Sequence, residues 1–160
     1  MATDPDRKLI DVNALSIFLV EDHPGYGYVF PKMMSGLRGE YVLLIFDYLP
    51  IRANWILTAK WKCDPKESVK AIKDFLRYTK PKYVSASRET LKKAYELSEK
   101  LDHDVYDCFY LALALQENAT HILTTDKDFK KLCPQINLGY ENPVPDDVLK
   151  RFVRFSLTSL

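Results

Sequence analysis

The chain has 160 residues, 47% of them hydrophobic and 28% charged, a balance that fits a globular domain with a sizeable core. Its formal net charge is +1, so bulk charge points to neither nucleic acid nor an acidic partner, and any such binding has to come from a local patch. No apolar run approaches the roughly 18–20 residues of a membrane span, and the acidic, polar "MATDPDRK" is no secretory signal.

Cys63, Cys108 and Cys133 lack CxxC spacing and read as reduced thiols in a cytoplasmic protein. His23, His103 and His121 are scattered and make no zinc pattern. There is no internal repeat and no long linker, so residues 1–160 are expected to form one domain.

In chain order, "KLIDVNAL" predicts a short buried strand running into a turn and helix. "GYGYVFPKMMSGLRGE" predicts a loop and a short helix closed by Gly36 or Gly39. The continuous apolar run "YVLLIFD" has the character of a strand buried on both faces. "YLPIRANWILTAKW" reads as helical, with Pro50 in its first turn. A helix over 66–80 follows, capped by Asp64 with Pro65 at its first position. "PKYVSAS" holds a short strand, and Ser87 caps the amphipathic "RETLKKAYELSEKL". "DVYDCFYLALALQEN" is apolar around most of its circumference and is expected to be central. "ATHILTTD" is a strand, "KDFKKLC" a short helix, "INLGY" a last strand, and "PVPDDVLKRFVRF" a terminal helix. Alternation of this kind implies a layered α/β fold with a mainly parallel sheet.

The acids are the chemically informative residues. Ligands of an open parallel sheet sit outside the carboxyl ends of its strands. Asp11 ends the first strand, Asp126 ends "HILTT", and Asp107 lies in the first turn of the helix leading into that strand. Their convergence would suit a hard divalent cation. The competing role is capping: Asp104 with Asp107 resembles a capping box, and Thr125 or Asp126 could cap "KDFKKL". Asp11, flanked by apolar residues, is harder to explain without a partner or an ion.

"LIDVNAL" and "YDCFYLALALQENATHILTTDKDF", with the strand and helices between them, resemble the PIN-domain family of nucleases. That family includes the ribonuclease toxins of bacterial and archaeal toxin–antitoxin pairs. The likeness spans most of residues 8–140, leaving 141–160 as a C-terminal extension expected to be helical. It implies a three-layer α/β/α sandwich with a mainly parallel central sheet. It also implies Mg²⁺ or Mn²⁺ held by Asp11, Asp107 and Asp126, and RNA hydrolysis by metal-activated water. Asp104, one turn from Asp107, and Asp47, at the end of "YVLLIFD", are further candidate ligands, with Asn13, Thr124 and Thr125 in support. A small antitoxin protein and a homodimer, with the apolar tail "RFVRFSL" as one contact, are the partners the resemblance suggests.

The sequence departs from the family where a Glu usually stands in the helix after the second strand. The corresponding stretch is Arg52, Ala53 and Asn54. This leaves a second reading open, a catalytically impaired PIN-like module that binds RNA or protein. An arginine there could instead hold a phosphate. Lys66, Lys70, Lys73, Arg77 and Lys80 recur at helical spacing and form a candidate RNA-binding stripe, with Lys60, Trp61 and Lys62 near in sequence. The plainer reading of that stripe is a solvated helix face. A haloacid-dehalogenase-type phosphatase would need an Asp at Asn13, and a receiver domain an acidic pair near Asp11; both fit worse.

Overall fold

The computed structural model describes residues 3–157. Strand β1 (Arg7–Ile10) buries Leu9 and Ile10 completely, then stops at Asp11, whose extended backbone and carboxylate cap helix α1 (Val12–Phe18). Helix α2 (Tyr26–Leu37) contains Gly36 within its last turn; Gly39, at φ +82°, makes the left-handed turn that follows. Strand β2 (Val42–Phe46) has Leu43, Leu44 and Ile45 fully buried, as its unbroken apolar run requires.

Helix α3 (Leu49–Trp55) does not run straight on to Trp61. It opens into a π turn over Ile56–Lys60, closed by the Trp61 N–H on the Ile56 carbonyl at 2.9 Å. The wider turn puts Lys60 and Trp61 above the carboxyl edge of the sheet, where both line a cleft with Asn13 and Asp126.

Asp64 caps helix α4 (Pro65–Phe75) through the Glu67 N–H. The helix expected over 66–80 therefore ends five residues early. Pro81 biases Lys80 toward extended backbone ahead of strand β3 (Lys82–Val84). Lys66, Lys70 and Lys73 keep their helical spacing, while Arg77 and Lys80 leave the stripe.

Ser87 caps α5 (Arg88–Leu101) as its sequence predicts. Helix α6 (Val105–Gln116) buries Cys108 and the run Tyr110–Ala114, and each fully buried leucine in it contributes roughly 1.5–3 kcal/mol. Strand β4 (His121–Leu123), helix α7 (Phe129–Leu132) with a 3-10 turn, and strand β5 (Gly139–Glu141) complete the sheet.

The terminal helix is much shorter than its sequence suggests. Helix α8 covers Asp146–Leu149, and a 3-10 turn over Phe152–Arg154 follows. The aromatic residues there turn inward onto His23 and Trp61 instead of continuing a helical face. Residues 158–160, the end of the expected helical extension, lie outside the described part.

All five strands are parallel in the order β3-β2-β1-β4-β5, with Leu9 opposite both Leu44 and Ile122. Helix α1 packs against both α2 and α3, α3 against α4, and α5 packs on α6 as a separate pair. Right-handed crossovers in opposite directions place these two groups on opposite faces, the three-layer arrangement expected.

Candidate active site

The chain leaves β1 for β2 on one side and returns through β4 on the other, so the β1/β4 carboxyl ends form the topological switch point. Asp11 follows β1 there and is only 4% exposed. Its Oδ1 accepts from the Ala14 N–H at 2.9 Å, and its Oδ2 accepts from the Thr124 hydroxyl. Thr124, fully buried just past β4, also accepts from the Asp126 N–H at 2.9 Å. One hydroxyl thus ties the first acid to the loop bearing the third. Asp126 is half-buried, and its Oδ1 closes a local turn by accepting from the Asp128 N–H at 2.9 Å.

Asp107, half-buried in the first turn of α6, joins them electrostatically. Burial pushes the Asp11 carboxyl up to about 6; hydrogen bonds from Thr124 and Ala14 oppose the rise, and the charges of Asp126 and Asp107 add to it. Burial also raises Asp126, again with Asp107 and Asp128 contributing repulsion. The three sequence-predicted acids therefore share one field.

Two further members were not among the predicted ligands. His103 Nε2 lies 2.7 Å from Asp107 Oδ2, and that hydrogen bond raises the imidazole above its ordinary value. His103, Asp107 and Asp128 each offer a ligand atom within 4.8 Å of the others. The four-residue spacing of His103 and Asp107 was a legible signal for the pair. Asp128 begins α7 without a side-chain cap bond.

The remaining candidates are placed differently. Asp104 begins α6 but makes no side-chain cap bond, so the capping box does not form; its charge acts on His103 and Cys108. Asp47 is exposed after β2, where its Oδ2 accepts from Ser85 Oγ at 2.5 Å; it does not cap α3 either. Asn13 and Thr125 border a cleft of about 540 Å³ that opens beside Asp126.

Arg52 is half-buried in α3. Its guanidinium lies 5.1 Å from the Tyr106 ring centre and 5.9 Å from that of Trp55, and its Nε has no hydrogen-bond partner among the described residues. Lys66, Lys70 and Lys73 are exposed, with Lys70 paired to Asp74 at 2.9 Å. Arg77 is exposed beyond the end of α4.

The donor set suits a hard divalent cation. Carboxylate oxygens are its preferred ligands, and a cation between them would offset the burial, and the smaller mutual repulsion, that raise Asp11 and Asp126. Both Asp11 oxygens already accept one hydrogen bond, and each keeps a further lone pair.

No curated protein sequence matches this chain significantly. Among solved structures, the chain resembles Mycobacterium tuberculosis VapC20, a sarcin-ricin-loop-cleaving toxin, at a TM-score of 0.65 and 14% identity, over 78% of this chain and 94% of that one. It also resembles VapBC2 of Rickettsia felis, bound to a DNA fragment from its promoter, at a TM-score of 0.62 and 16% identity, over 84% and 97% of the two chains. At such identities the likeness is one of fold. The PIN domain family model matches residues 8–133, from the first residues of β1 through the acids to the end of α7, and the chain belongs to that family.

Proposed function

We propose that this PIN-domain protein is a Mg²⁺- or Mn²⁺-dependent endoribonuclease, with Asp11, Asp107 and Asp126 as its metal carboxylates. The observation that carries the reading is the buried Asp11 carboxylate. It sits at the switch point, raised chiefly by burial and further by two like charges, and no cationic side chain is among the groups acting on it. When bound, a divalent cation supplies a Lewis acid and lowers the pKa of water at the phosphodiester.

The chain's own residues fix the acids. Ala14 and Thr124 hold both Asp11 oxygens in place, and Thr124 sets the start of the Asp126 loop. His103 orients Asp107, and Asp104 adds negative field at the mouth. Asp47, engaged by Ser85, contributes least. The similarity to VapC20 and VapBC2 supports a toxin role with a small antitoxin partner.

The stretch Arg52–Asn54 favours a second reading, a binding module with weakened metal affinity, because it holds a cation and no acid where the resembled family carries a Glu. Incubation of a mixed RNA pool with Mn²⁺ or Mg²⁺, and with EDTA, separates the two. The nuclease reading expects metal-dependent cleavage that Asp107→Asn abolishes. No cleavage by folded protein freed of any partner would refute it and favour the module.

A further inference from the structure

The cleft beside Asp126 has a wall that comes from beyond the family-matched residues 8–133. Phe152, Val153 and Phe155 form that wall; Asn13, Lys60 and Lys127 lie among the residues lining the rest.

The wall is firmly built. The Phe152 and Phe155 rings stand edge-on to His23 at 4.5 and 4.6 Å, and Phe155 meets Trp61 at 5.4 Å. The Leu157 N–H donates to the Trp61 carbonyl at 2.9 Å. Gly25 is what admits Phe152, since a Cβ there would lie 2.7 Å from its ring. His23 is 4% exposed, and burial pushes its imidazole down to about 4, so the aromatic box is uncharged at neutral pH.

The cleft is therefore acidic at one end, apolar along one wall, and flanked by two lysines. Lys60 has no carboxylate partner among the described residues. Among the described residues Lys127 is paired only with the largely exposed Asp146 at 3.2 Å, a contact weak enough to yield to a phosphate. Its volume of about 540 Å³ falls in the range of small-ligand sites and suits a nucleotide.

We propose that this cleft holds the nucleotide of a single-stranded RNA adjacent to the scissile phosphate, with Lys60 and Lys127 on the phosphates and the Phe152–Phe155 segment as the wall. The proposal rests on the endoribonuclease reading. It gives the C-terminal extension a substrate-contacting role in addition to packing.

The test is binding without hydrolysis. A fluorescein-labelled hexaribonucleotide of mixed sequence is titrated, in EDTA and at several salt concentrations, against the full chain carrying Asp107→Asn. Adding Lys60→Ala is expected to weaken binding roughly tenfold and to reduce the slope of log affinity against log salt by about 0.7, the value for one phosphate contact on a single strand. Adding Val153→Asp, at a side chain 91% exposed, is expected to weaken binding severalfold without harming the fold. Lys150→Ala, outside the cleft, leaves binding unchanged.

Unchanged affinity and slope in both cleft variants would overturn the proposal, as for a cleft that serves a polypeptide instead; so would no RNA binding at all. Cleavage by the parent chain is read separately. RNA cut normally by the Lys60 and Val153 variants refutes the cleft and leaves the nuclease standing. Cleft-dependent binding without metal-dependent cleavage does the reverse.

Discussion

Replacing Asp11 with Asn should make the metal-free protein more stable while removing its activity. The ordinary carboxyl value is 3.8, and burial carries Asp11 to about 6. Folded Asp11 thus holds its proton more tightly than the unfolded chain does. Its ionisation destabilises the fold progressively as pH rises from about 4 through 6, then by a constant amount above. At about 1.4 kcal/mol per pH unit, that amount is about 3 kcal/mol. An amide avoids it and still serves as N-cap, with its oxygen on the Ala14 N–H and its NH₂ donating to Thr124 Oγ. In EDTA at pH 7.5, Asp11→Asn should raise Tm by about 6–12 °C, the shift expected for 3 kcal/mol in a domain of this size. At pH 4 the two proteins should melt nearly together. Saturating Mn²⁺, at about 100 times its Kd, should return about 2.7 kcal/mol to the parent and much less to the variant. Thermal and urea unfolding across pH, with and without metal, measure all of this. A variant no more stable than its parent at pH 7.5 in EDTA would refute the reasoning.

Thr124→Val keeps the shape of the core but leaves Asp11 Oδ2 and the Asp126 N–H without their shared partner. It should cost about 2 kcal/mol in urea unfolding and reduce turnover, since both acids lose their positioning bond. Arg52→Glu removes a cation and supplies an acid within the stretch Arg52–Asn54, where the family usually carries a Glu. It should lower the Mn²⁺ concentration for half-maximal cleavage by about tenfold, as read from activity against free metal. An unchanged midpoint would mean that Arg52 lies too far from the acids to matter.

The parts of the fold carried by local pattern were readable. The apolar runs of β1 and β2, the all-round apolar α6, and the caps Asp64 and Ser87 each depend on neighbouring residues, and each appears where its pattern places it. The nearness of Asp11 to Asp126 was legible because strand ends in a parallel sheet share one edge, and that of Asp107 because its helix leads into β4. The missed features depend on contacts distant in sequence. The π turn that directs Lys60 and Trp61 over the site is stabilised against Leu157, nearly 100 residues later. The terminal segment folds onto an aromatic box built from His23 and Trp61, which no periodicity in "KRFVRF" announces. Helix α4 stops at Phe75 because the sheet needs the chain at β3, although its basic periodicity runs on to Lys80.

Magnitudes bear on the choice between capping and the proposed metal binding at Asp11. Its cap bond to Ala14 is worth about 1 kcal/mol, and Asn or Ser would provide it equally well. The ionised carboxylate in that position costs about 3 kcal/mol, the equivalent of its rise from 3.8 to about 6. Capping therefore accounts for a polar residue after β1 but not for a charged one. Asp126 repeats the pattern: its turn-closing bond to the Asp128 N–H needs an oxygen, not a charge, yet burial and Asp107 raise its carboxyl too. Two buried or half-buried acids, each oriented by a bond that a neutral residue could make, together form a site whose repulsion only a cation among them would turn into binding energy. The same logic makes Arg52 a residue to change, because it is the positive side chain of the stretch Arg52–Asn54, where a further ligand charge would be expected.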